Sequence, residues 1–417
     1  MKTEQEINSG SLRQRDGGTI AIITAFVFIL LVAALAFAID LGFIYDQKRS
    51  LQVASDSVAL SAGYSDIANK SQEESLEAAY EDARVNGFRE PITNLTLNNP
   101  PLSGNYASDF NAFESILHRP AEYYFLGYFL SPFSIYARSV AKYDIVSLCA
   151  LALGSGSNDG VTVIGSTRVA FKNCSLHINS ASQSALSVGG TGSLTADAIT
   201  IVGNYSKNGN GSINTQHPIQ TGASYIPDPY GSLTIPSYAS SPCIATNYST
   251  SSNVTLSPGR YCNGIILKGK ANAKLNPGIY IIDRGDLNVG AQSTISGSNV
   301  TIIFTSSTQS SYGSVNFTAG ASGTLSAPTS GDFNGILFFG DRNSTSISTK
   351  LTGSANLILQ GLAYFPSQDF EFFAGTSTST CLKFVARSIK FSGNIAYTGD
   401  GCMNSAIKVK SGLRLVE

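Results

Sequence analysis

The hydrophobic pattern of this chain is dominated by one stretch, Gly18 to Ile39, which contains no charged residue and no proline. At about 1.5 Å of rise per residue, a helix over this stretch is about 33 Å long and matches the roughly 30 Å hydrocarbon core of a bilayer. The apolar core of a cleaved signal peptide is shorter, about 7–15 residues, and the helices of soluble proteins usually keep a polar face. The pattern therefore predicts a transmembrane helix.

The helical pattern continues beyond the apolar stretch, because apolar residues recur at helical spacing as far as Leu60, and Gly63 supplies a stop signal. We predict one helix over residues 17–63, whose second half projects from the membrane as a stalk or packs on a partner. Residues 1–16 are polar and are predicted to form a cytoplasmic tail, an orientation that the count of Lys and Arg on the two flanks slightly favours.

Residues 64–147 have the pattern of a small α/β unit. Ser71 and Glu74 form a capping-box signal ahead of an Ala-, Glu- and Leu-rich run that Asn86 and Gly87 close. Short alternating runs bounded by Pro and Gly then predict three strands, at 93–97, 110–118 and 132–142.

From residue 148 to 417 short aliphatic runs alternate with Gly-, Asn- and Ser-rich turns at intervals of roughly 20 residues. The segment Leu256-Ser-Pro-Gly-Arg-Tyr261 recurs 19 residues later as Leu275-Asn-Pro-Gly-Ile-Tyr280. This repeat predicts a mainly β unit folded as a right-handed parallel β-helix, with Pro-Gly at a corner and a β-sandwich as the alternative. Each turn of the helix would bury aliphatic side chains against its neighbours, among them Ile265, Leu267, Ile279 and Ile281.

All six cysteines follow the apolar stretch, and they are Cys149, Cys174, Cys243, Cys262, Cys381 and Cys402. An even number on one side of a membrane indicates disulfides in an oxidising compartment, which places the bulk of the chain outside the cytoplasm. Several connectivities are possible. Pairing in sequence order gives separations of 25, 19 and 21 residues, each close to one turn of the predicted β-helix.

Composition narrows the function classes. Only 13% of the 417 residues are charged, and the net charge of −1 offers no basic surface for nucleic acid. No metal, cofactor or catalytic site is predicted. The run from Gly264 to Lys270 has the spacing of a phosphate-binding loop, but Ala271 stands where Ser or Thr should hold magnesium. Asp283, Arg284 and Asp286 are the one compact group that a carbohydrate-active enzyme could use, and a charged turn explains them as well.

The N-terminal segment resembles the TadE/TadG-like proteins of tight-adherence (Flp) pilus systems. An Arg- and Gly-rich lead, RQRDGGTIAIITAF, is followed by IDLGFIYDQKRSLQVASDSVALSAG. The shared positions are Asp40, Gly42, Tyr45, Leu51, Gln52, Ala54, Asp56, Ala59 and Leu60. Asp40 and Asp56 would lie on a solvated helix face or serve assembly with other anchored helices. The segments CALALGSG, CSLHINSASQSALSVGG and IPDPYGSL resemble the C-terminal region of larger TadG-like proteins, without their Asp-x-Ser-x-Ser metal motif.

The resemblance implies a single-pass protein of a bacterial inner membrane, with a cytoplasmic N-terminus and a periplasmic bulk, that helps to assemble or anchor Flp pili. Its partners would be the membrane and, through the N-terminal helix, other pilus-assembly proteins or pilins. Processed pilins of such systems carry Glu five residues beyond the cleavage glycine, where this chain has Ile22 or Ile23, so a retained anchor is favoured. The alternatives are a minor pilin or surface adhesin binding glycan or protein on the β-helix, and a β-helix carbohydrate-active enzyme.

Overall fold

A computed structural model describes residues 17–68, 70–157, 159–344, 347–353, 357–374, 381–393, 396–398 and 407–417. The chain forms two compact units, one of Met1–Asp144 with Gly412–Glu417 and one of Ile145–Ser411. We call them the helical unit and the β-rich unit. Residues 412–417 thus join the helical unit, an arrangement that the predicted division at residues 147 and 148 does not include.

The helical unit is built on helix α1, Gly17–Ile67, which is followed by α2, Gln72–Val85, and by short 3-10 turns at Ile92–Asn94 and Leu126–Tyr128. Its strands are β1 (Leu95–Asn98), β2 (Ala112–Pro120) and β3 (Ser134–Ala152). Strands β1 and β3 both pair antiparallel with β2. The predicted helix, its capping box between Ser71 and Glu74, and its end at Asn86 are confirmed.

The second half of α1 packs on this small sheet and on α2. Leu51, Ala54 and Val58 of α1 share one buried cluster with Ala79 and Ala83 of α2 and with apolar residues of the sheet. Small residues on both helices allow the close approach that this packing needs.

Gly63 does not end α1, which continues to Ile67, so the predicted stop at residue 63 is wrong. A Cβ atom at Gly63 would lie 2.5 Å from Cδ1 of Leu413. The glycine therefore permits close packing inside the helical unit and has no role as a cap. The backbone of residues 412–417 returns to this unit, and the Val416 N–H donates to the Val140 carbonyl at 2.8 Å.

The β-rich unit contains many short strands. They are β4 Val161–Val163, β5 Arg168–Ala170, β6 Ser175–Ile178, β7 Leu186–Val188, β8 Ser193–Ala196, β9 Ile199–Ile201, β10 Tyr205–Lys207, β11 Ser212–Thr215, β12 Gln220–Thr221, β13 Ala245–Thr250, β14 Val254–Leu256, β15 Gly259–Leu267, β16 Asn272–Leu275, β17 Gly278–Asp283, β18 Leu287–Val289, β19 Thr294–Gly297, β20 Val300–Thr305, β21 Val315–Phe317, β22 Ser322–Ser326, β23 Ile336–Gly340, β24 Ser348–Gly353, β25 Leu357–Ala374, β26 Cys381–Gly393 and β27 Ala396–Thr398. A further strand, β28, covers Ile407–Leu415.

The strand pairings described in the β-rich unit are parallel, and they join each strand to a similar strand one layer away. One ladder runs β15–β18–β21–β24–β25–β26–β4–β7. This register aligns a column of buried side chains: Leu267, Val289, Phe317, Leu351, Phe372, Phe391, Val163 and Val188. The unit is thus mainly β and compatible with a parallel β-helix, and its pairing differs from that of an antiparallel sandwich.

The stacking order differs from the chain order. Strands β3 and β4 lie directly beside β26, so the first layers of the unit follow the last ones. Residues 222–244, which we call the strap, connect β12 to β13 without forming a strand. Pro227, Pro229 and Pro236 explain this, since each lacks the N–H that a ladder requires.

The strap covers an apolar surface on the outside of the stacked strands. The Asn179 side chain exchanges two hydrogen bonds with the backbone of Ile226, at 2.7 and 2.9 Å, and Arg342 binds the Leu233 carbonyl at 2.7 Å. Ile281 is buried in the cluster under the strap, and Ile279 packs against it. Ile281 is thus buried as predicted and Ile279 partly so, but both lie under the strap on the outer face of β17, because every second side chain of a strand faces outward.

The repeated Pro-Gly-x-Tyr segments occupy equivalent positions in adjacent layers. Gly259 and Gly278 both have φ of +140°, and a Cβ atom on Gly278 would lie 2.7 Å from Cβ of Pro258. The buried rings of Tyr261 and Tyr280 stack with centroids 6.2 Å apart. The repeat thus marks a corner that only glycine fits, followed by an aromatic step between layers.

Neighbouring isoleucines of β15 provide a matched test of this packing. Ile265 is 1% exposed and faces the interior, whereas Ile266 is 42% exposed. We expect Ile265→Ala to lower the free energy of unfolding by about 2–5 kcal/mol through lost burial and a residual cavity. Urea denaturation of the full chain in detergent measures this change. Ile266→Ala is the control, and an equal loss for both variants would contradict the assigned register.

Candidate functional site

The apolar part of α1 is a long and continuous run of exposed hydrophobic residues. Phe26 and Leu30 are more than half exposed, and their apolar neighbours from Ile20 to Ile39 are similarly uncovered. Among the described residues, α1 is the one helix that is long and apolar enough to cross a membrane. It is consistent with the anchor of a single-pass membrane protein.

The motif residues beyond this span divide into an inner and an outer set. Leu51, Ala54 and Ala59 are buried against the helical unit, and Leu60 is half-buried. Gly42 and Tyr45 face outward, since no atom lies within 4 Å of a Cβ built on Gly42 and Tyr45 is 72% exposed. The inner set therefore docks α1 on its own unit, and packing inside the chain does not explain the outer set.

Gln52 and Asp56 bind the first part of β3. The Gln52 side-chain amide donates to the Arg138 carbonyl at 3.0 Å and to the Ser139 hydroxyl at 2.8 Å. The Ser139 hydroxyl in turn donates to Oδ1 of Asp56. Asp56 is therefore held by a neighbouring strand and does not simply lie on a solvated helix face.

Asp40, the first charged residue after the apolar span, is buried and receives three backbone hydrogen bonds. Its Oδ1 accepts from the Tyr124 N–H at 2.8 Å, and its Oδ2 accepts from Phe125 at 2.8 Å and Leu126 at 2.6 Å. Charge-assisted bonds of this kind are about twice as strong as neutral ones. Asp40 thus fixes a loop between β2 and β3 at the end of the apolar span.

Gln47 binds the same loop. It lies about 10 Å beyond Asp40 along α1, because each helical residue adds about 1.5 Å. Its side chain donates to the Glu122 carbonyl at 2.7 Å and accepts from the Glu122 N–H at 3.0 Å. Gln47 was not singled out from the sequence. Neither this bidentate contact nor the contact of Asp40 has a local signature, because the partners lie more than 70 residues away in the chain.

A buried ion pair supports the sheet behind this helix. Glu114 has no exposed side-chain surface, accepts from Arg138 at 2.6 Å and from the Asn98 amide at 2.8 Å, and lies in a network with Glu417. Burial raises the pKa of Glu114, but hydrogen bonds from Asn98 and Arg138 outweigh it and lower the pKa below its ordinary value. The sequence did not single out Glu114, because its partners Asn98, Arg138 and Glu417 are distant in the chain.

Two predicted disulfides are confirmed in the β-rich unit. Cys149 is bonded to Cys174 and Cys243 to Cys262, with Cα atoms 5.5 and 5.8 Å apart. No described cysteine is free, and Cys381 is also disulfide-bonded. Cys402, its predicted partner, lies outside the described residues.

The acidic residues of the predicted charged turn serve separate local contacts. The buried carboxylate of Asp283 accepts from Arg260 at 2.7 Å and from the Ser307 N–H at 2.7 Å. Asp286 accepts from the Ser314 N–H at 2.8 Å instead, and Arg284 lies 3.4 Å from Asp283. No group of three or more potential metal ligands was found in the described parts of the chain.

The electrostatics of Asp283 follow from these contacts. Burial raises its pKa, but hydrogen bonds from Arg260 and Ser307 outweigh burial and lower the pKa below its ordinary value. The ion pair joins β15 to β17, while Nη1 of Arg260 donates to the strap carbonyls of Ala239 and Ser241. Asp283 therefore stabilises the attachment of the strap.

The run from Gly264 to Lys270 has no phosphate-binding conformation. Most of it lies within strand β15, Gly259–Leu267, and no helix follows it. The interpretation of this run as a strand is confirmed.

Comparison with known protein families matches residues 18–66 to the putative Flp pilus-assembly TadE/G-like family. This range coincides with helix α1 and includes all nine motif residues singled out from the sequence. Searches of curated proteins and of solved structures found no significant match to the chain. The family resemblance of the N-terminal segment is thereby confirmed.

Asp40→Asn tests the contact between α1 and the loop. The variant loses the negative charge that three N–H groups share, so the loop opens more often. We expect the amide hydrogens of Tyr124, Phe125 and Leu126 to exchange about tenfold faster by hydrogen–deuterium exchange. Asp46→Asn, an exposed position of the same helix, is the control. Unchanged exchange in Asp40→Asn would refute the proposed restraint.

Asp283→Asn tests the ion pair beneath the strap. We expect the variant to lose about 3 kcal/mol of stability at pH 7, because Arg260 keeps a buried charge without its partner. Since folding lowers the pKa of Asp283, its contribution is full at neutral pH and is lost as the pH falls below about 4. The gap in melting temperature between wild type and variant should therefore narrow in acid. Asp286→Asn should show no such gap.

Proposed function

We propose that this chain, whose residues 18–66 match the TadE/G-like Flp pilus-assembly family, is a membrane-anchored structural component of Flp pilus assembly. Helix α1 would keep it in the inner membrane and residues 1–16 would lie in the cytoplasm. The part of the helical unit beyond the apolar span and the whole β-rich unit would lie in the periplasm. The β-rich unit would be a right-handed parallel β-helix stapled by disulfides.

A retained anchor is supported by the continuity of α1. The helix passes from the apolar span into the docked half without a break, and Asp40 at the junction is bound to the loop of its own unit. A signal peptidase acts on an extended segment after a short apolar core. No such segment separates the span from the rest of the helical unit.

A periplasmic location is supported by the disulfides. Both described bridges lie after the apolar span, and such bonds persist in oxidising compartments such as the bacterial periplasm. The bridge between Cys243 and Cys262 joins the end of the strap to β15. Oxidation would thus secure the strap once the chain has crossed the membrane.

The outer motif residues are the observation that carries the assembly role. Gly42 and Tyr45 belong to the family-matched segment, but the helical unit uses neither of them for its own packing. A small residue beside an exposed aromatic residue allows a second helix to approach closely and gives it a ring to pack on. We propose that this face binds a helix of another pilus-assembly protein or of a pilin.

We propose that the chain is not an enzyme, because Asp283 and Asp286 are engaged in separate internal contacts. A minor pilin or surface adhesin is the second candidate. A groove of about 390 Å³ on the β-rich unit supports it. The surface of the groove is mostly apolar, and residues with polar side chains from adjacent layers lie around it, among them Asn173, Thr195, Asp197, Asn214 and Gln216. Such groups could bind a glycan.

Tyr45→Ala tests the assembly role in cells that lack the native chain. We expect partner binding to weaken about tenfold, equivalent to about 1.4 kcal/mol, because the exposed ring leaves the contact. Sheared Flp pili and photo-crosslinking from a probe at position 45 provide the measurements.

Tyr64→Ala is the matched control, since Tyr64 is an exposed tyrosine of the same helix outside the motif. Both variants should reach wild-type levels in the inner-membrane fraction. Normal piliation with Tyr45→Ala, together with no crosslink to a pilus component, would contradict the proposal. Recovery of the chain in sheared pili would favour the minor pilin.

A further inference from the structure

The segment from Tyr123 to Phe133, which we call the aromatic loop, is an unusual exposed surface. Its sequence YYFLGYFLSPF contains six aromatic residues, and no charged residue occurs between Glu122 and Arg138. Tyr128 is 86% exposed and Phe129 is 85% exposed. Exposing a loop tip of this composition to water is unfavourable in free energy. Contiguous exposed apolar patches usually mark an interaction site.

Contacts with α1 fix the height of this loop along the helix. The loop leaves β2 beside Gln47, which binds Glu122, and then reaches Asp40, which binds Tyr124 to Leu126. It therefore runs toward the N-terminal end of α1. On the return, the Tyr136 carbonyl accepts from Lys48 and the Arg138 carbonyl accepts from Gln52, so β3 runs the opposite way.

The turn of the loop must consequently lie level with Asp40 or beyond it, beside the apolar span. The Phe43 and Tyr124 rings pack at 5.3 Å, which brings the loop against the same face of α1. Residues 127–130 come after the contact with Asp40, whereas Phe133 has already returned beside Ala121 at the base of the loop. The most exposed side chains of the loop thus lie where the apolar span ends and the aqueous phase begins.

The loop is held in one shape by its own bonds. The Leu130 N–H donates to the Leu126 carbonyl at 2.8 Å, and the Ala121 N–H donates to the Phe133 carbonyl at 2.9 Å. The rings of Tyr123 and Phe133 stack at 5.8 Å across the base. A formed turn presents its aromatic side chains outward without an ordering cost on binding.

We propose that the aromatic loop inserts into the periplasmic interface of the lipid bilayer, beside the membrane-spanning half of α1. This inference rests on the membrane-anchored role proposed above. Aromatic residues concentrate at membrane interfaces, where ring faces contact acyl chains and tyrosine hydroxyl groups stay hydrated. The helical unit would then have two attachments to the membrane, the helix and the loop, and Asp40 would hold them together.

Lipid accounts for the surface better than a protein partner does. The exposed rings lie in a turn with no charged residue, and Asp40 holds this turn at the end of the span. Interfacial segments combine apolar and aromatic side chains in this way. Lipid would cover both the loop and the span, since the contact between the Phe43 and Tyr124 rings brings the loop against α1 at the end of the span.

Single-tryptophan variants of the full chain test this inference, because the native chain contains no tryptophan. Phe129→Trp places the probe at the loop tip and Phe28→Trp places it near the middle of the span. Phe110→Trp is the control, since Phe110 is 73% exposed and its neighbour Asn111 contacts Tyr143, which binds Asp66. Asp66 lies about 39 Å beyond Asp40, at about 1.5 Å per helical residue.

Each variant is reconstituted in vesicles of phosphatidylethanolamine and phosphatidylglycerol, with or without bromine on the acyl chains. We expect bromine to remove most of the fluorescence of Phe129→Trp and Phe28→Trp and none of that of Phe110→Trp. Bromine near the headgroup should quench Phe129→Trp more strongly, and bromine deep in the acyl chain should quench Phe28→Trp more strongly.

The outcomes separate this inference from the proposed function. Quenching of Phe28→Trp without quenching of Phe129→Trp would overturn loop insertion and leave the anchor intact. Absence of quenching at both positions would overturn the spanning role and the loop insertion together. The fluorescence of Phe129→Trp could instead be unaffected by bromine but change with the amount of protein per vesicle. This result would assign the loop to contacts between copies of the chain and would also overturn the inference.

Discussion

The continuity of helix α1 is the constraint on which the helical unit depends. Inside a bilayer every backbone group must find its partner within the helix, whereas beyond the span the same helix must pack against a sheet. The change occurs at Asp40, where apolar exposed positions give way to small and polar residues that fit the unit. Because the helix does not break there, the position of the span fixes the position of everything that docks on its second half.

The β-rich unit meets a different constraint, since each short strand is stable only when layers cover it on both sides. In-register parallel pairing satisfies this by aligning buried side chains from Leu267 to Val188 in one column. The strap then covers the outward apolar residues that the stacking leaves open. Arg260, Asp283 and the disulfide at Cys262 secure the strap near its end, so charge pairing and covalent bonding act at the same place.

Features with a local signature could be predicted from the sequence. Continuous hydrophobicity indicated the span, the Ser71 capping box marked α2, and the Pro-Gly-x-Tyr repeat located corresponding corners. The predictions failed where the structural role of a residue depends on a partner that is distant in the chain. The sequence indicates a helix stop at Gly63, whereas in the structure Leu413 packs on this glycine. The sequence is compatible with a solvated Asp40, whereas in the structure three N–H groups of the loop bind its carboxylate.

The strap and the stacking order could not be inferred for the same reason. Prolines predict that residues 222–244 form no regular strand, but they do not indicate which surface the segment crosses. The continuous apolar run of β17 indicates that both of its faces are covered, yet only the course of the strap explains why Ile281 is buried on the outer one. The hydrophobic periodicity of a sequence reports local geometry and does not indicate which layers of the β-rich unit are adjacent.

The family-matched segment contains two kinds of residue on one helix, those that pack within the chain and those that face away from it. Leu51, Ala54 and Ala59 are explained by packing within the chain, so they would be needed whatever the protein binds. Gly42 and Tyr45 face away from that packing, and a glycine in a water-exposed helix costs about 1 kcal/mol relative to alanine. A residue that weakens its own helix and fills no internal need is best explained by what approaches from outside. Under the proposed function, the outer face of α1 is the surface that a second helix would bind.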